Sequence, residues 1–356
     1  GSQNIPFYPR KLQYKSFYSL NTLIDLKIYN LNFNDLNIHI NDWINQRKRD
    51  FLIAKKVAKI LKPTIFISQQ SLDQYAIIAD TFNTLKIPSL LITHGSHIIN
   101  FNHFAKKEWK NHSLTFFDGP FDFTAIQSPA AKHFYSTENL KSKALDFGPL
   151  ILWIVDKNNK SPSRKQLFHE FSEKKILLYA STPKFIDGLR PLIYETENEY
   201  VKNLITLINS LSKRKDLHLV IRHREREELN CDDLLKILPK SDNYKIYPDG
   251  KFEDYLIKSD LLISYSSTTI EQALFANKKV LLWDSLGRYK HIDEISINSY
   301  QVNGIWYASQ NNLMKNLNDA LNFNHAMSKN TYQKIYADYK KKINNESDIF
   351  KYLSTQ

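Results

Sequence analysis

Apolar residues along this chain come in short runs of three to five, separated by longer stretches in which they recur every three or four positions. The runs predict buried strands and the longer stretches predict amphipathic helices. A helical stretch around Ile40 to Leu61 leads into Thr64-Ile-Phe-Ile-Ser, and a second reaches about Leu85 before Pro88-Ser-Leu-Leu-Ile-Thr. Asp122-Phe-Thr-Ala-Ile-Gln-Ser, a helix opened by Pro129, and Ala144-Leu-Asp-Phe-Gly-Pro follow. Between Asp156 and Ser163 the pattern lapses into DKNNKSPS, which has the composition of a linker. It then resumes with Lys175-Ile-Leu-Leu-Tyr, Leu217-His-Leu-Val-Ile, Tyr244-Lys-Ile-Tyr, Asp260-Leu-Leu-Ile-Ser-Tyr and Lys279-Val-Leu-Leu-Trp as further strands.

Strands alternating with helices predict an α/β protein whose parallel sheets are covered on both faces. The lapse near residue 160 predicts two doubly wound, Rossmann-like domains, residues 1–158 and 159–327. A polar helix from about Ser328 to Tyr352 is expected in the last segment, 328–356, packing back on the first domain.

Composition narrows the classes. The 356 residues, 42% hydrophobic and 13% aromatic, suffice for two packed cores. No apolar run approaches the roughly 20 residues that span a bilayer. The single cysteine, Cys231, excludes an internal disulfide framework or a multi-cysteine metal site and suits a reducing cytoplasm. The formal charge of +12 is spread over runs such as Gln46-Arg-Lys-Arg, Lys213-Arg-Lys and Lys340-Lys-Lys, each read as a solvated helix face. None accompanies a nucleic-acid-binding signature, so the excess points to acidic substrates or an anionic membrane surface rather than to nucleic acid.

In open parallel sheets, ligands bind beyond the carboxyl ends of the strands. Those ends here deliver His94-Gly95-Ser96, Ser181-Thr182, Arg222-His223-Arg224, Ser264 to Thr269, and Asp284. The hydroxyl-rich turn Ser264 to Thr269 opens a helix whose first amides and positive dipole end can hold a phosphate. Thr268-x-x-Glu271 also reads as a capping box that occupies those donors itself.

Asp187, beside Gly188 and three residues before Arg190, can serve as general base or nucleophile. Asp118-Gly119 and Asp249-Gly250 repeat the dipeptide, which is commonly just a turn. The position after a strand's carboxyl end favours Asp187. His223 can donate to a phosphate or leaving oxygen while its flanking arginines face the other way, or the triplet is a basic surface edge. His94 is a candidate acid, base or acceptor contact, or a histidine bonded within its glycine turn. His97 and His103 lack metal-ligand spacing, and no Gly-x-Gly-x-x-Gly or Walker loop occurs, so neither a metal nor a dinucleotide cofactor is expected.

The succession Ile186-Asp187-Gly188, Arg222-His223-Arg224 and Ser266-Ser267 resembles the Asp-Gly, His-Pro and Ser-Ser/Thr motifs of bacterial sialyltransferases and the related Kdo transferases. The resemblance covers roughly residues 175 to 285. Ile186 stands at the first acid of the strict motif and Arg224 where proline is usual. It implies a GT-B architecture: two Rossmann-like domains facing a central cleft, an N-terminal acceptor domain and a C-terminal donor domain. It further implies a glycosyltransferase of capsule or lipopolysaccharide biosynthesis, working at the inner face of the bacterial membrane. The donor would be CMP-Kdo or a related CMP-ulosonic acid, the acceptor a glycan or a lipid-linked glycan. Asp187 would be the base of an inverting enzyme or the nucleophile of a retaining one, with Asp118 as its competitor and His94 facing the donor. His223 and the Ser266-Ser267 pair would hold the CMP phosphate. Ser181, Arg190, Arg222, Ser264 and Thr268 would complete the donor site, and Glu271 would meet the ribose or the cap. The same residues leave open a UDP-sugar transferase, a nucleotide-sugar epimerase, a CDP-glycerol phosphotransferase, or a non-catalytic anion-binding assembly protein.

Overall fold

The computed structural model describes residues 33–93, 107, 110, 113–149 except 115, 139 and 147, 161–181, 195–224, 229–265, 267–287, 304–324 and 337–338. The chain divides into two compact units, each built on a parallel sheet. In the first, helix α1 (Phe33–Leu61) precedes β1 (Phe66–Ser68), helix α2 (Asp73–Thr84) and β2 (Ser89–Leu91). Strands β3 (Phe123–Ile126) and β4 (Lys143–Asp146) complete the sheet, whose order is β1-β2-β3-β4; helix α3 (Pro129–Glu138) links them in the chain, and its residues up to Phe134 group with the second unit. Small side chains bring α1 close. Ala54 and Ala58 pack with Phe82 of α2, and Phe66, Ile78 and Ile87 lie against them. Gly119 belongs to the same economy of space, because a Cβ there would stand 3.0 Å from the Ser71 side chain and 3.3 Å from its carbonyl oxygen.

The second unit opens with helix α4 (Arg164–Phe168), capped by Ser163 in a box with Gln166, and a short 3-10 turn (His169–Phe171). Then come β5 (Lys175–Tyr179), α5 (Glu197–Leu211), β6 (Leu217–Ile221), α6 (Cys231–Ile237), β7 (Tyr244–Ile246) and α7 (Phe252–Lys258). Strand β8 (Leu261–Ser264), helix α8 (Thr268–Phe275), β9 (Val280–Trp283), β10 (Ile305–Ala308) and helix α9 (Leu313–Asn322) follow. The sheet order is β10-β9-β8-β5-β6-β7, every described pair parallel. The chain enters at the middle, winds outward through β6 and β7, then returns to wind the other way from β8. That reversal between β5 and β8 is the switch point of a doubly wound sheet.

Helix α5 shows why the pattern folds this way. Thr196 and Glu199 form its capping box, and Tyr200, Asn203, Leu204, Leu207, Ile208 and Leu211 recur at helical spacing on one buried face. That face joins Leu177, Leu219, Ile263, Trp283 and Trp306 in one core of the unit.

Two departures from expectation concern this half. Strand β10 and helix α9 were not anticipated, although Ile305-Trp-Tyr-Ala is a short aromatic-rich run set between the turn residues Asn303-Gly304 and Ser309-Gln-Asn-Asn. The hydroxyl turn is capped by Ser267, whose Oγ accepts from the Thr269 amide at 3.3 Å, rather than by a Thr268–Glu271 box. With Ser267 as the cap, Glu271 falls one position too far along to reach back to it. Residues 156–160 of the expected linker lie outside the described residues, as does the 328–356 segment apart from 337 and 338, which are helical.

His218 on β6 is buried and stacks on Phe171, with centroids 3.8 Å apart and planes 5° from parallel. Burial, aided by Lys174, pushes its pKa down to about 4. The folded state therefore resists a proton that the unfolded chain accepts near its ordinary value of 6.5. Stability is expected to fall as the pH drops from about 6.5 toward 4, and His218→Phe should flatten that limb of a melting-temperature profile. An unchanged acid limb in the variant would assign the loss to other groups.

Candidate functional site

All six strands of the second sheet run the same way, so their carboxyl ends form one edge, and the switch point lies between the ends of β5 and β8. The two ends are sewn together. The Ala180 amide donates to the Ile263 carbonyl at 3.0 Å, and the buried Ser264 hydroxyl donates to the Ala180 carbonyl at 2.5 Å. Ser264 thus spends its single proton on the backbone and acts here as a clasp between strands.

Next to that clasp the chain turns into α8. Ser267 and Thr268 are partly exposed at its first turn, while Glu271, one turn in, is fully buried. The arrangement presents the positive end of a helix, with hydroxyls, at the switch point. Such a turn suits a phosphate group. Ser266 lies outside the described residues.

At the same sheet edge, after β5, lies a group that its sequence context does not single out. Glu195, 1% exposed, accepts from the Ser181 hydroxyl at 2.8 Å and from the Asn203 amide at 2.5 Å. Asn203 in turn takes the Ser285 amide on its side-chain oxygen and the Trp283 indole N–H on its carbonyl, both at 3.2 Å. Ser181 after β5, Glu195 before α5, helix α5 itself and the end of β9 are therefore joined by one polar chain. Burial pushes the Glu195 carboxyl up to about 7, Asn203 and Ser181 pull it partly back, and Asp284 adds to the rise. A carboxyl poised near neutrality can exchange a proton at physiological pH. The signal was available: Thr196-x-x-Glu199 marks a helix start, which puts Glu195 in the loop following a carboxyl end.

Two members of the basic triplet, Arg222 and His223, are more internal than expected, while Arg224 is exposed. Arg222 donates to the carbonyls of Tyr247 at 2.6 Å, Gly250 at 2.7 Å, and Asp249, and stacks over Tyr255 at 4.5 Å. It braces the turn 247–250, where Gly250 sits at φ +88°, a conformation that suits glycine. Tyr200 OH lies 3.0 Å from His223 Nδ1, and the Leu229 carbonyl lies 2.8 Å from Nε2. A carbonyl only accepts, so Nε2 carries the proton and Nδ1 accepts from Tyr200, whose phenol burial holds well above its usual pKa. Both ring nitrogens are bonded to protein. Any role for His223 at a phosphate requires exchanging one of these bonds.

Asp187, Arg190 and His94 lie outside the described residues. Asp118 lies in the first unit, on the segment entering β3 rather than at a carboxyl end. Among the described residues no cluster of three or more His, Cys, Asp or Glu side chains is arranged to hold a metal ion. The structure therefore brings together Ser181, Ser264, Ser267, Thr268 and Glu271 near one switch point and adds Glu195 to them.

No protein-family profile matches the sequence, and no curated protein matches it. Solved structures do. The Methanocaldococcus jannaschii UDP-GlcNAc 2-epimerase in complex with UDP-GlcNAc and UDP superposes with a TM-score of 0.57 at 16% identity, over 87% of this chain and 81% of that one. The S. aureus MnaA–UDP structure gives 0.56 at 14% identity, over 87% and 80%. The glycotransferase of kitacinnamycin gives 0.50 at 9% identity, over 88% and 81%. The fold is GT-B. Both parallel sheets belong to that architecture, and at such identities the likeness speaks of the fold alone. No described helix is long and apolar enough to cross a membrane.

Proposed function

We propose that this GT-B chain is an enzyme that acts on a nucleotide sugar, with the nucleotide phosphate held at the first turn of α8. One observation carries the reading: the Ser267-capped helix start falls at the β5–β8 switch point, at the same sheet edge as Ser181 and the near-neutral carboxyl of Glu195. The finer proposal is transfer of Kdo or a related ulosonic acid from a CMP donor to a glycan or lipid-linked acceptor in bacterial surface polysaccharide assembly, at the cytoplasmic face of the membrane. The Asp187, His223 and Ser266-Ser267 succession supports it. Asp187 is its carboxylate, and no metal takes part.

A second reading, a UDP-sugar epimerase or transferase, is favoured by the fold shared with UDP-GlcNAc 2-epimerases. The two part on the nucleotide. A ligand that binds only the native state raises the melting temperature, so CMP and not UDP should do so on the first reading, and UDP on the second. Neither nucleotide shifting the transition would leave an anion-binding protein without this activity. Ser266→Ala with Ser267→Ala should weaken nucleotide binding by about 0.5 to 1.5 kcal/mol for each hydroxyl that donates to it. Unchanged affinity in the folded double variant would remove the phosphate from this turn.

A further inference from the structure

Helix α1 carries two different faces. Ala54, Ala58 and Arg47 turn inward, the alanines against Phe82 and the arginine beside Asp50 and Asp73. Away from that face, apolar side chains are left in solvent beside the cations: Leu52, Ile53 and Ile60 each keep 60–66% of their surface exposed, and Val57 keeps 36%. Ile53, Val57 and Ile60 follow one another at helical spacing, so they form a strip rather than scattered points. Around it every exposed charged side chain from 48 to 62 is a cation: Lys48, Arg49, Lys55, Lys56, Lys59 and Lys62. An apolar strip flanked by long basic side chains is the pattern of a helix lying in a bilayer surface, with its aliphatic groups at the acyl boundary and its lysines reaching the lipid phosphates.

We propose that this face of α1 docks on an anionic lipid surface. Charge complementarity selects that occupant. A second copy of the chain would bring the same six cations against one another, and a nucleic acid would offer the exposed leucine and isoleucines no apolar medium. The net charge of +12 attracts the whole molecule to the same surface from a distance. The inference is independent of which nucleotide the second unit binds, and a thermal shift by nucleotide tests that reading separately.

The test is co-sedimentation of the full chain with vesicles of phosphatidylcholine, with and without phosphatidylglycerol. The chain should pellet with the anionic vesicles, stay in solution with the neutral ones, and be released by salt. Lys55→Gln/Lys56→Gln/Lys59→Gln should lower the partition coefficient by roughly a hundredfold. Ile53→Ser/Ile60→Ser should lower it by at least about tenfold, because insertion requires the apolar strip. Both variants change exposed side chains, so melting temperature and any nucleotide shift should stay at wild-type values. The proposal is overturned if the wild-type chain ignores phosphatidylglycerol vesicles, or if the isoleucine pair leaves binding intact. A dimer in solution that the isoleucine substitutions dissolve would also overturn it, assigning the strip to a second copy.

Discussion

Asn203→Ala is expected to destabilise the second unit by roughly 3 kcal/mol, and by more at alkaline than at mildly acidic pH. Its side chain is one of the two donors on Glu195 and also accepts the Ser285 amide, so truncation leaves a buried carboxyl and a backbone N–H each short of a partner. The pH dependence follows from the sign of the Glu195 shift. Burial raises its pKa from 4.5 to about 7, so the folded state retains a proton that the unfolded chain has released. The stability this contributes is complete below about 4.5 and is lost as the pH rises through about 7. Removing Asn203 takes away a bond that favours the ionised form, which drives the pKa higher and widens the gap from wild type above neutrality. Glu195→Gln should remove the titration and flatten the profile over the same window. Urea unfolding of the three proteins at acidic, neutral and alkaline pH measures both effects. A constant difference between Asn203→Ala and wild type at every pH would mean that Glu195 does not titrate there.

Asp187→Asn should lower turnover at least about a hundredfold, a barrier increase of about 2.7 kcal/mol, while nucleotide affinity stays near the wild-type value. The substitution preserves shape and removes the basic oxygen. On the proposed chemistry, that oxygen takes the acceptor proton or traps an electron-poor anomeric centre, and separate groups stabilise the departing phosphate. The measurement is CMP release from CMP-Kdo and CMP-sialic acid in the presence of acceptor glycans. Retention of more than about a tenth of wild-type turnover, less than about 1.4 kcal/mol, would pass the role to Asp118. If Asp118→Asn is active too, CMP-ulosonic acid transfer is the wrong chemistry for this protein.

The α/β class with parallel sheets was legible because it is written locally, and the GT-B architecture followed only from the resemblance. Short apolar runs alternating with 3.6-period stretches specify strands and helices whatever the distant chain does, and parallel sheets follow from the alternation. Leu177, Leu219 and Ile263 were recognisable in that way as core. The hydroxyl turn was legible as a helix start for the same reason, although which residue caps it was not. Ser267 and Thr268 both have capping side chains, and the backbone conformation at the junction selects Ser267.

Burial and partnership were beyond the sequence, since they depend on strand order. Arg222 and His223 look like free chemistry at a strand end. In the fold, the Tyr247–Gly250 turn surrounds the first, and Tyr200 and the Leu229 carbonyl enclose the second. Glu195 looks like one acid in an acidic helix start. Ser181 lies 14 residues before it, Asn203 lies 8 after it, and Asn203 bonds Ser285, 82 residues further on. The sequence by itself determined the alternation of elements, the hydroxyls at the start of α8 and the cations of α1. Only the tertiary structure decided which polar groups lose water, because desolvation is set by what packs above a side chain, and with it the carboxyl that titrates near neutrality and the apolar strip left facing solvent.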